Sequence, residues 1–250
     1  MPKASTRTIA LLPLGAHEQH GPHLPFETDT LIVAGLVERL KVAAALPDGL
    51  SIEFLPVEPV GYSVEHMDVA GTKTLAFDEA VQRWIGIGEG LAQRGLAKLV
   101  ILNAHGGNAP LMTIVATELR VRFNMLAVTT SWTRFGLPDG LISPEEKALD
   151  IHGGFIETSV MLALHPELVD MGKAGNFNSN QRHYAEAYKH LRAYGPHAFG
   201  WKMTDLNEEG VAGNASRATA KAGEKIIAHS LTGIIELLED VDGFDSSVFK

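Results

Sequence analysis

Cysteine is absent from this 250-residue chain, which excludes disulfide scaffolds, iron–sulfur clusters, thiolate zinc sites and cysteine nucleophiles. Any metal must be held by nitrogen and oxygen. Positive charge is scarce too: 21 lysines and arginines against 30 acids leave a formal net charge of −9. Basic clusters interleaved with aromatics are missing, so no nucleic-acid partner is expected. No run approaches the roughly 20 apolar residues of a membrane span. The basic MPKASTR is followed only by the short IALLPLG, without a small-residue cleavage site. The expectation is a soluble cytoplasmic protein with no membrane partner, acting on a small molecule or short peptide.

What is present is a hydrophobic content of 45%, enough to build the core of one domain over residues 1–250. Strand-length apolar runs (8–15, 51–61, 98–103, 125–132) alternate with stretches of helical period (29–46, 77–95, 110–123). That order predicts an α/β fold, a mainly parallel sheet flanked by helices on both faces. Further helices are expected at 155–165 and 216–241, with loops, a lid or a subunit contact between them. Gly86, Gly88 and Gly90 fall inside a helical stretch, so they form no nucleotide loop. His165, His190 and His229 read as surface or packing residues without carboxylate neighbours.

In such folds ligands bind beyond the carboxyl ends of the strands, and the polar motifs fall there. After the first strand comes HEQHGPHLPFETD. Its histidines are three apart and Gly21-Pro22 breaks any helix, so this is not the helical zinc-protease HExxH. In an extended segment, however, Glu18 and His20 point to the same side, as two ligands of one cluster would. Asp29 opens the next helix, where its carboxylate is placed to bridge two cations. Glu65 and His66 follow the second strand. NAHGGN ends the third strand with His105 as a further ligand candidate, and its glycines allow a tight turn before Asn108 and Pro110. In DIHGGFIETS, His152 is suited to carrying protons and Glu157 to completing a metal shell.

Each residue has an ordinary alternative. A loop histidine is commonly just hydrogen-bonded, Asp29 and Glu157 also serve helix starts, and a Gly-Gly pair makes a turn. Convergence of three clusters at the same end of the sheet is what favours a metal site. His23, His66, Asn108 and Trp132 are expected beside it, supporting the ligands or walling the substrate pocket; Trp132 also reads as core.

LGAHEQHGPHLPFETDT, NAHGGN, DIHGGFIETS and GVAGNASRATAKAGEKI together resemble, in order, the motifs of the creatininase (creatinine amidohydrolase) family. The resemblance implies a layered α/β/α sandwich, a homo-oligomer, commonly a hexamer, and two divalent ions (zinc, manganese or iron). It implies Glu18 and His105 on one metal, His20 on the other, Asp29 bridging and His152 as the catalytic histidine. The chain departs from creatininase itself at Gly106 and Gly107, where that enzyme has a tyrosine and a metal-binding glutamate. It also lacks a tryptophan just before His152. These departures argue against creatinine as substrate, and either Glu157 completes the second site or that site is more open. Branches of the family with HGGN motifs include a deformylase and the mycofactocin peptidase.

The function expected is dinuclear, metal-dependent amide hydrolysis, with hydroxide generated on the metals attacking a cyclic amide, a formamide or a small peptide-like amide. Two rivals are hydrolysis or ring opening of an oxidised sugar or lactone, and a metal-binding protein without turnover.

Overall fold

A computed structural model describes residues 8–43 and 49–249; MPKASTR and positions 44–46 of the expected first helix lie outside them. The order is β1 (Thr8–Leu14), α1 (Thr28–Lys41), β2 (Ser51–Phe54), α2 (Phe77–Gln93), β3 (Lys98–Asn103), α3 (Ala109–Phe123), β4 (Leu126–Ser131), α4 (Pro144–Leu149) and α5 (Phe155–Leu164). There follow β5 (Asn176–Phe177), α6 (Gln181–Ala187), α7 (Met203–Leu206), β6 (Gly213–Asn214) and α8 (Ala220–Gly243). Among the described residues, no helix is long and apolar enough to cross a membrane.

β1 to β4 form a parallel sheet in the order β2-β1-β3-β4. Both faces are covered, which is why its central strands are apolar throughout rather than alternating. Ile9, Leu11, Val100 and Leu102 pack into a core with α1, α5 and α8, and the intervening Ala10, Leu12, Leu99 and Ile101 pack into a second core with α2 and α3. The result is an α/β/α sandwich, as the alternation of periods implies.

The chain leaves β1 for one edge through α1, then returns through α2 on the opposite face to place β3 on the other side of β1. Loops after β1 and β3 therefore diverge to opposite faces and open a crevice between them. Asn108 ties this crevice together. Its amide donates to the carbonyl of Gly15 (3.1 Å) and to Oδ1 of Asn103 (3.0 Å), and its Oδ1 accepts from the N–H of Tyr62 (2.9 Å). Although Asn108 stands just before α3, its side chain makes no cap bond to that helix.

Elsewhere the boundaries shift for local reasons. The second strand ends at Phe54 rather than 61, because Pro56 and Pro59 offer no N–H to a ladder, though Glu58 still exchanges bonds with Pro13 and Gly15. The last helix starts at Ala220, where the Thr219 hydroxyl accepts from Ala222 N–H. His165 has a carboxylate neighbour after all, Glu167 at 3.5 Å, and His190 lies outside any helix. The stretch 166–215 is irregular apart from short helices and the β5-β6 pair.

α5 and α8 cross with almost no gap, since a Cβ at Gly223 would stand 1.9 Å from the carbonyl oxygen of Ser159, whereas at the exposed Gly86 of α2 it would meet nothing within 4 Å. The same substitution is thus expected to act in opposite directions. Gly223→Ala should lose about 1–3 kcal/mol by overpacking, and Gly86→Ala should gain about 0.5–1 kcal/mol of helix propensity. Urea unfolding midpoints of the two variants beside wild type check both signs.

Candidate metal centre

Six titratable side chains from different loops converge at the crevice. Glu18 and His20 come from the segment after β1, Asp29 from the first turn of α1, His105 from the end of β3, His152 from the segment before α5 and Glu157 from its first turn. Glu18, His20, Asp29, His105 and His152 are all buried. Asp29 lies at the middle: Oδ1 is 3.5 Å from His20 Nε2 and Oδ2 is 3.5 Å from His105 Nδ1. Glu18 Oε1 is 3.0 Å from His105 Nδ1 and 3.7 Å from His152 Nδ1. Glu157 Oε2 is 3.8 Å from His20 Nε2 and accepts from Gly153 N–H at 2.6 Å. Two groups, Glu18 with Asp29 and His105, and His20 with Asp29 and Glu157, bring their donor atoms within 4.8 Å of one another and share Asp29.

Backbone carbonyls set the faces of the rings. His20 Nδ1–H donates to the carbonyl of Glu18 (2.9 Å), His105 Nε2–H to that of Tyr62 (2.8 Å) and His152 Nε2–H to that of Gln19 (2.7 Å). In each case the remaining ring nitrogen faces the cluster, the support that metal-ligating histidines require. The donor set also passes an independent test. Among the described residues, both Glu18 oxygens, Asp29 Oδ2 and His20 Nε2 are buried without a hydrogen-bond partner. Orphaned buried acceptors on this scale are costly, and a divalent cation bound by nitrogen and oxygen would satisfy them.

Electrostatics follow from burial plus proximity. Burial alone lowers His20 and His105, but Asp29 raises His20 to about 9 and Glu18 raises His105 to about 10. Burial opposes ionisation of Glu18, yet His105 and His66 hold it well below the usual carboxylate range. Burial raises Glu157 to about 7. It lowers His66 to about 4, and lowers His152 well below the imidazole range with help from His20 and His66.

The remaining expected residues divide. His66 joins the cluster, its Nε2 3.4 Å from Glu18 Oε1 and its ring against His152. His23 stands one step away, Nε2 on the Thr158 hydroxyl (2.9 Å) and ring stacked on Phe177, bracing α5. Trp132 does not line the cavity over the cluster: it stands at the turn after β4, buried in the core of α1, α5 and α8. The aromatic wall comes instead from Tyr62, Tyr194, Phe199 and Trp201, which line a cavity of about 370 Å³ together with Glu18, Asp29, Glu65, His105, His152 and Glu157. Sequence reasoning passed over these four rings. For Tyr194, Phe199 and Trp201 the signal was a group of aromatics in the aperiodic stretch 188–201; Tyr62 gave none.

The creatininase family model, described as creatinine amidohydrolase, matches residues 2–238. The chain belongs to the creatininase family. A mycofactocin precursor peptide peptidase of Mycolicibacterium smegmatis is 28% identical over 233 residues, 92% of this chain and 84% of that protein. A creatinine amidohydrolase of Pseudomonas putida is 29% identical over 178 residues, 66% of this chain and 67% of that enzyme. A crystal structure from Bacteroides fragilis superposes with a TM-score of 0.77 at 26% identity, covering 98% of this chain and 93% of that one.

With His20 held up to about 9 and His105 to about 10, both carry an extra proton at pH 8 when no metal is bound, and ligation must displace it. Metal uptake at pH 8 is therefore expected to release about two protons, one per ion, with the apparent affinity of each ion falling about tenfold per pH unit below that. Calorimetric titration with zinc in two buffers of different ionisation enthalpy measures the release; heats independent of buffer would contradict it.

Proposed function

We propose that the chain is a two-metal amidohydrolase acting as one creatininase-like domain. Family membership gives the reaction class, hydrolysis of amide bonds. The observation that carries the dinuclear reading is Asp29, buried with one carboxylate oxygen toward His20 and the other toward His105. Glu18 and His105 would complete one position, His20 and Glu157 the other. The nitrogen and oxygen donors suit zinc, manganese or iron(II). Two such cations, when bound, acidify a water and polarise an amide carbonyl.

The protein's own groups do the rest. Gly153 N–H holds the Glu157 carboxylate in place. Glu157 takes the part that a glutamate at position 107 would play. His152 is kept neutral by burial and by the neighbouring imidazoles, and its Nε2–H is committed to Gln19. Nδ1 is thus free to accept a proton from the attacking water and return it to the leaving nitrogen. The aromatic wall shields the reacting carbonyl from bulk water. Small amides and short peptides fit a cavity of about 370 Å³.

Plasma mass spectrometry of the untagged protein is expected to find about two metal equivalents, and well under one in Asp29→Ala. Failure to take up metal even after supplementation would sink the reading. Mass-spectrometric screening of the loaded protein against cyclic amides, formamides and short peptides then identifies the bond cleaved. His152→Ala should keep both metals and lose about 10²–10⁴ in turnover; loss of metal instead would move His152 into the ligand set.

A further inference from the structure

Glu65 lines the cavity outside the two groups that share Asp29, and with Glu18 and His66 it makes another set whose donor atoms lie within 4.8 Å of one another. It stands on the tight turn Val64–His66, with its carboxylate partly exposed to the cavity and Oε1 3.5 Å from His105 Nε2. That histidine nitrogen already donates to the Tyr62 carbonyl at 2.8 Å, so Glu65 retains accepting capacity toward the cavity. Gly107 explains how it comes so close. A Cβ there would stand 2.3 Å from the Tyr62 carbonyl, 2.4 Å from His105 Nε2 and 2.7 Å from Glu65 Oε1. A side chain at 107 is sterically excluded, and the Glu65 carboxylate stands where one would begin.

The rest of the lining carries the same sign. Glu18, Asp29, Glu65 and Glu157 face the cavity, and among the described residues no lysine or arginine does. If Glu18, Asp29 and Glu157 are committed to cations, Glu65 remains as unneutralised negative charge. Around it stand Tyr62, Tyr194, Phe199 and Trp201, whose ring faces favour a cation and whose edges favour apolar groups. Among the described residues this wall offers a phosphate or carboxylate no cationic side chain, only the Tyr62 and Tyr194 hydroxyls.

We propose that Glu65 determines specificity by binding a basic nitrogen on the acyl side of the scissile amide, so that the site selects amides with an ammonium next to the carbonyl, as at a free peptide amino terminus. Glu65 lies beside the metal cluster, its carboxylate within 4.8 Å of donor atoms of Glu18 and His66, and an ammonium next to a scissile carbonyl stands only two bonds from the carbonyl carbon. Anionic amides are disfavoured by the same carboxylate. The inference rests on the two-metal reading for the position of the carbonyl.

The test uses the metal-loaded full chain and three matched probes: leucyl-phenylalanine amide with a free ammonium, its N-acetyl form and its N-succinyl form. Initial tryptophan fluorescence change reports binding whether or not cleavage follows, because Trp84 and Trp132 are buried in the cores and Trp201 lines the cavity. The free-ammonium probe is expected to bind about 10- to 100-fold more tightly than the acetylated one, the range of a charge-assisted hydrogen bond, with the succinylated probe weakest. Glu65→Gln should reduce that preference to within about threefold at unchanged metal content, and Glu65→Lys should favour the succinylated probe. Equal binding of the first two probes by wild type, or a preference that survives Glu65→Gln, overturns the proposal. Metal loss in Glu65→Gln overturns it as well, by making Glu65 a ligand. Binding of no probe also overturns it, while cleavage of a formamide or cyclic amide by the same preparation would leave the two-metal reading standing.

Discussion

The Asp29 carboxylate, shared between His20 and His105 inside the protein, is the constraint around which the rest is arranged. Burying Glu18, Asp29 and several imidazoles at the end of a sheet is costly unless each charge meets an opposite one. Without metal, protons on His20 and His105 supply that charge; a pair of cations would supply it better and would also satisfy the oxygens left without partners. The same burial keeps His152 and His66 neutral, so one environment produces both charged and uncharged histidines a few ångströms apart.

Holding that cluster requires stiffness, and backbone provides it. The carbonyls of Glu18, Gln19 and Tyr62 each fix one imidazole, so ring orientation is inherited from loop geometry. The loops are locked to one another through Asn108, which joins the chain at Gly15, Tyr62 and Asn103. Behind them the two cores on either face of the sheet fix the ends of β1 and β3. Close packing of α5 on α8 in turn sets where Glu157 starts its helix.

The irregular stretch between α5 and α8 has a different task. Gln181 holds its turn from both sides, donating to the Tyr194 carbonyl and accepting from Ala193 N–H, and Trp201 Nε1–H donates to the Ala193 carbonyl. A segment without regular structure thereby becomes an ordered aromatic wall over the cluster. The metal-ligand candidates stand at strand ends and helix starts, while three of the four rings lining the cavity, Tyr194, Phe199 and Trp201, come from the least periodic part of the chain.

Period and local punctuation were enough to read the sandwich, because a parallel sheet buried on both faces needs continuous apolar strands and its covering helices need one apolar stripe. The residues later found around Asp29 were also legible: Glu18, His20, His105, His152 and Glu157 all stand at strand ends or helix starts, where such a fold presents its ligands. Other facts depended on contacts between distant segments. That Trp132 turns into the core, that His23 braces α5, that Asn108 ties loops rather than capping a helix, and that Glu65 occupies the space beside Gly107 are consequences of sheet order and packing. Sequence by itself determined which residues sit at the strand ends, since neighbours in the chain set the period. Only the tertiary structure decided which side chains meet there, because the register of β1 against β3 and the divergence of their loops fix distances that no local pattern encodes.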